Sequence, residues 1–70
     1  MCEDDARIAK GMLSRGDRQS DIAAYFGVNS GRIAEIARGL TFWWVQPAPL
    51  NQLPPSGPYV VRQLLAAIDR

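Results

Sequence analysis

All five prolines of this 70-residue chain fall between positions 47 and 58, and a proline ring both removes a backbone donor and clashes with the preceding turn of a helix. Regular helix is therefore confined to residues 1–39 and 59–70. The stretch from Gly39 to Tyr59 is also free of charge. Its proline spacing makes it a connecting strap of extended or polyproline character rather than a buried or membrane-crossing helix. No apolar run elsewhere reaches the roughly 18 residues that a bilayer span needs.

Seventy residues with 47% hydrophobic content make one small domain, which buries only about 60% of the surface its unfolded chain exposes. Packing must carry it alone. The single Cys2 has no internal disulfide partner, and no histidine is present to build a zinc site or to activate a nucleophile. The expectation is a protein that is not an enzyme and uses no metal or cofactor. Its first residues, Met1-Cys2-Glu3-Asp4-Asp5, are acidic where a signal peptide is basic, so a soluble, cytoplasmic protein without a membrane partner is expected.

The net charge of +1 conceals an uneven distribution. Three acids crowd residues 1–5, whereas residues 6–39 hold Arg7, Lys10, Arg15, Arg18, Arg32 and Arg38 against Asp17, Asp21 and Glu35. That block carries a local balance of +3 and points toward a polyanion.

Periodicity divides the same block into three helices. Ala6, Ile8, Ala9, Met12 and Leu13 recur at helical spacing, which predicts a first helix from about Asp4 to Ser14. The acids before it suit a helix N-terminus by capping and by the macrodipole. Gly16 then breaks the pattern. A second helix starts near Gln19 or Ser20, with Asp17 and Asp21 as its capping and dipole groups, and runs to Gly27 through Ile22, Ala23, Tyr25 and Phe26. Asn29 or Ser30 caps a third, Ser30–Arg38, whose Ile33, Ile36 and Ala37 share one face while Arg32, Glu35 and Arg38 lie on the other. The predicted fold is all-α: a tri-helical unit over 1–39, an aromatic and Pro-rich strap over 40–58, and a C-terminal helix over 59–70, within a single domain.

The stretch Ile22-Ala23-x-x-Phe26-Gly27-Val28, followed by Ile33-x-x-Ile36, has the order of a helix-turn-helix. Ala23 is small where two helices cross, Gly27 stands at the turn, and Ile22, Phe26, Val28, Ile33 and Ile36 fill a shared core. With Gly39 and Phe42-x-x-Val45 it resembles the small helix-turn-helix proteins of bacteria, phages and mobile elements. These are related to the resolvase/invertase-type (homeodomain-like) domain and to the helix-turn-helix appended to HNH endonucleases. Such sequences often continue with Gly-basic-x-Trp-x-x-Val. Here Leu40 and Thr41 stand where basic residues are common, and Phe42 where Trp is usual.

The resemblance implies a small transcriptional regulator that binds double-stranded DNA with the third helix in the major groove. The free face of that helix supplies the base-reading candidates Asn29, Ser30, Arg32, Ala34, Glu35 and Arg38. Arginine bridges guanine O6 and N7, glutamate accepts from cytosine N4, and alanine packs on a thymine methyl. Arg15, Arg18, Gln19 and Ser20 are the candidates for phosphate contacts near the start of the second helix. The plainer reading makes Arg32 and Arg38 a solvated helix face paired to Glu35 at i,i+3.

One helix-turn-helix contacts one half-site, so a homodimer, or else a protein partner, is expected. Phe42, Trp43 and Trp44 cannot all face one core, and the last helix is apolar around much of its circumference. Phe42, Trp43, Trp44, Leu64, Leu65 and Ile68 are therefore the expected interface. The same features admit a protein-interaction module, an adaptor or anti-activator on a helix-turn-helix scaffold, as the alternative function.

Overall fold

The computed structural model describes residues 1–59. Among them are three α-helices, α1 (Glu3–Arg15), α2 (Gln19–Phe26) and α3 (Ser30–Ala37), one short 3-10 turn at Leu50–Gln52, and no strand. The all-α expectation holds. The helix expected over 59–70, with Leu64, Leu65 and Ile68, lies outside the described residues apart from Tyr59, which is not helical and sets its ring 5.1 Å from that of Tyr25.

The helices end where the chain chemistry requires it. Gly16 and Gly27 take φ of +100° and +71° directly after α1 and α2, a region that a Cβ makes costly. Their amides return to carbonyls of the last helical turn. Asn29 caps α3, its Oδ1 accepting from the Gly31 amide at 2.7 Å. The N-termini of α1 and α2 differ from expectation. Cys2 and Arg18 occupy the capping positions without a side-chain bond, and the acids sit inside the first turns instead. Asp17 does not cap α2, because its carboxylate is turned to Arg15 at 2.6 Å.

Met12, Ile22 and Ile33, one from each helix, are completely buried and form the centre of the core with Ala9, Ala23 and Ile36. Leu13, Phe26, Val28 and Phe42 pack around them. Ile22, Ala23, Phe26, Val28, Ile33 and Ile36 in this set are the positions that marked the helix-turn-helix.

The strap then crosses the other side of α1. The Ala48 amide donates to the Arg7 carbonyl at 2.9 Å, and Arg15 Nη1 donates to the Pro54 carbonyl at 2.8 Å. Val45 and Ala48 are buried against this face. Gly11 is what lets the strap approach: a Cβ there would lie 2.6 Å from Leu53 Cδ2 and 2.8 Å from the Ala48 carbonyl oxygen. The geometry gives the Gly11→Ala substitution a diagnostic sign. In a helix free of the strap, alanine stabilises by about 1 kcal/mol. Here overpacking outweighs that gain, and a net loss of about 1–3 kcal/mol is expected in urea denaturation; a gain would show that the strap does not seat on α1.

Candidate nucleic-acid interface

The outer face of α3 is set by the residues beneath it. Ile33 and Ile36 point into the core with 0% and 4% exposure, which turns Gly31, Arg32, Glu35 and Arg38 outward. Ser30 is exposed and Ala34 half-buried. The two ion pairs among the described residues are Arg15–Asp17 and Arg18–Asp21. Glu35 pairs with neither Arg32 nor Arg38, so the self-neutralised face of the plainer reading is not what forms. Gly31 leaves the start of α3 nearly bare, since a Cβ there would meet only Asn29 Oδ1, at 3.2 Å.

The expected phosphate contacts divide. Arg18, Gln19 and Ser20 are exposed at the start of α2, with the Arg18 side chain 78% exposed and held loosely by Asp21 at 3.6 Å. Arg15 is placed elsewhere. Its Nε and Nη2 donate to the two carboxylate oxygens of Asp17 at 3.1 and 2.6 Å. This fork raises the guanidinium pKa further above its ordinary value. With Nη1 on Pro54, Arg15 anchors the strap.

Two further cations of α1 behave in the same way. Arg7 reaches Gln52 Oε1 at 3.5 Å, and Lys10 Nζ donates to the Phe42 and Val45 carbonyls, the latter at 2.7 Å. The sequence reading missed this use of Lys10. Its signal was available, because Glu3, Arg7, Lys10 and Ser14 lie along the side of α1 away from Ala9 and Met12. Lys10 and Arg15 of α1 thus face the strap. Half of the six cations in residues 6–39 are structural, and Arg18, Arg32 and Arg38 are left toward solvent.

The aromatic turn also separates its members. Phe42 adopts φ of +51°, an uncommon conformation for a side chain of this size, and its ring packs against the core. Lys10 grips the carbonyl at that residue. Trp44 donates from Nε1 to Glu3 Oε2 at 2.9 Å yet remains 51% exposed, and Trp43 projects outward at 71%. The two indoles meet edge to face at 5.7 Å.

Among the described residues no helix is long and apolar enough to cross a membrane, and no group of three or more His, Cys, Asp or Glu is placed to hold a metal. Comparison with protein families, curated proteins and solved structures finds no match to this chain.

Asn29 has two assignable roles, and stability separates them. Asn29→Ala removes the cap on α3 and is expected to cost about 1 kcal/mol in thermal unfolding, whereas Asn29→Asp keeps an acceptor at the helix start and stays within a few tenths of wild type. Equal losses from both would remove the capping role.

Proposed function

We propose that this chain binds double-stranded DNA as a small helix-turn-helix regulator, laying α3 in the major groove. The observation that carries the reading is the outer face of α3. Arg32, Glu35 and Arg38 are exposed and mutually unpaired, on a helix backed by the fully buried Ile33 and started by a bare, capped turn. Arg32 and Arg38 have the planar fork that guanine O6 and N7 accept, and Glu35 has the acceptor that a cytosine amine needs. Arg18, Gln19 and Ser20 contact phosphate at the edge of the groove. The resemblance of residues 22–36 to resolvase/invertase-type helix-turn-helix sequences supports the same assignment.

Three exposed cations neutralise few phosphates, and each phosphate contact contributes a slope of about −0.9 to the salt dependence of binding. Specific affinity from one such head is low. Two heads on half-sites about one helical turn apart are what this geometry calls for, and an inverted-repeat operator follows from a two-fold pair of chains.

The exposed Trp43 and Trp44 favour one other reading, the protein-interaction module. Selection from random duplex oligonucleotides at about 50 mM and about 200 mM salt distinguishes the two, because phosphate attraction falls steeply with salt while base reading persists. A consensus surviving the higher salt is the expected result, and no enrichment at either salt selects the module. On the selected site, Arg32→Ala is expected to lose about 1–3 kcal/mol and to relax one base position, while Arg18→Ala weakens every sequence alike. Equal small effects from the two would remove α3 as the reading helix.

A further inference from the structure

Of the chain's six glycines, all but one answer to its own geometry. Gly16, Gly27 and Gly39 take positive φ. A Cβ on Gly11 would run into the strap, and one on Gly57 would press on Tyr59 Cδ2 at 3.0 Å and Asp21 Cβ at 3.2 Å. Gly31 has no such reason. It lies within α3, outside the positive-φ set, and is exposed. A Cβ there would meet, among the described residues, only Asn29 Oδ1, at 3.2 Å. A small shift of that side chain accommodates it, because the cap bond from the Gly31 amide, at 2.7 Å, remains a hydrogen bond when it lengthens slightly. Glycine within a helix costs stability relative to alanine. The fold thus carries a weakening at this position that no described neighbour requires.

We propose that Gly31 is a positioning residue at the point where the duplex comes closest to the protein, its missing Cβ letting the edge of a G·C pair reach the backbone of α3 beside Arg32 and Glu35. The inference rests on the DNA reading above. Gly31, Glu35 and Arg38 follow one another at i, i+4 and i+7, so they fall within about 60° of one another around the helix, on the side away from the buried Ile33 and Ile36. That stripe is lowest at Gly31 and carries long side chains farther on, which suits a helix that offers its N-terminal residues to base edges. Asn29, Gly31, Arg32 and Glu35 line one open recess of about 380 Å³. It sets a guanidinium fork near a carboxylate acceptor, the complement of guanine O6 and N7 with the cytosine N4 amine across the same pair. Asn29 narrows the choice. Its Oδ1 is engaged by the Gly31 amide, so the two-point contact by which asparagine takes adenine N6 and N7 is not open to it. The lining also separates DNA from a protein occupant, because the exposed apolar side chains of Leu40, Trp43 and Leu50 all lie outside this recess.

The test sets Gly31→Ala beside wild type in two measurements that move in opposite directions. Affinity for the duplex that the wild-type chain selects, read by fluorescence anisotropy, is expected to fall about tenfold or more. Tm without DNA is expected to stay level or to rise by about a few degrees. Gly31→Leu, larger but still a good helix former, is expected to lose more affinity than Gly31→Ala. A third arm exchanges each G·C pair of the site for A·T in turn. With wild type one exchange is expected to cost about tenfold or more, and with Gly31→Ala that same exchange costs less, since the pair's edge no longer reaches α3. Undiminished affinity in Gly31→Ala, a loss of affinity that follows a loss of Tm, or an exchange penalty identical in the two proteins each overturns this inference. Where a selected sequence is bound equally by wild type and Gly31→Ala, the role of Gly31 falls and the DNA reading stands; where wild type selects no sequence, both fall.

Discussion

Met12, Ile22 and Ile33 are removed from water together, one from each helix, and burial of side chains this size stabilises by about 1.5–3 kcal/mol apiece. The three contacts hold one another in place, because each helix is too short to be stable alone: α2 and α3 have eight residues each, well under the length at which isolated helices persist. Ala23 lets α2 approach closely, and Gly27 turns the chain so that Ile33 and Ile36 meet the same centre. The outward face of α3 is the complement of that packing. Its polar residues are presented because Ile33 and Ile36 are not free to point anywhere else.

The second organising contact is the strap on α1. That helix is covered on both sides, by α2 and α3 at Ala9 and Met12 and by the strap at Gly11, Val45 and Ala48. The strap buries Val45 and Ala48 and packs Phe42 and Leu53 against the core, but it has no ladder of its own. It is held by backbone groups that would otherwise need water: the Ala48 amide on Arg7, the Phe42 and Val45 carbonyls on Lys10, and the Pro54 carbonyl on Arg15. Such bonds locate a proline-rich segment that cannot form regular structure. They also explain how Phe42 is kept at positive φ, with Lys10 on its carbonyl and its ring against the core.

This arrangement changes how the charge pattern is to be understood. The positive block at residues 6–39 pointed to a polyanion, yet Arg7, Lys10 and Arg15 serve the fold, and Arg18, Arg32 and Arg38 face solvent. The DNA reading therefore depends on three cations and one helix face rather than on a broad basic surface.

Local chemistry was sufficient for the helices and their order. Apolar spacing located α1, α2 and α3 to within a residue at most ends, because burial of one stripe demands a 3.6-residue period, and Gly16, Gly27 and Asn29 announced the turns through their backbone preferences. The outward α3 residues followed from the same period. What the sequence could not display is which distant groups meet across α1. The pairing of Lys10 with carbonyls 32 and 35 residues away, the withdrawal of Arg15 from the phosphate set, and the separation of Phe42 inward from Trp43 outward all depend on where the strap crosses. No periodicity encodes that crossing. It was decided by tertiary structure, through the space left above Gly11 and the need of buried backbone groups for partners.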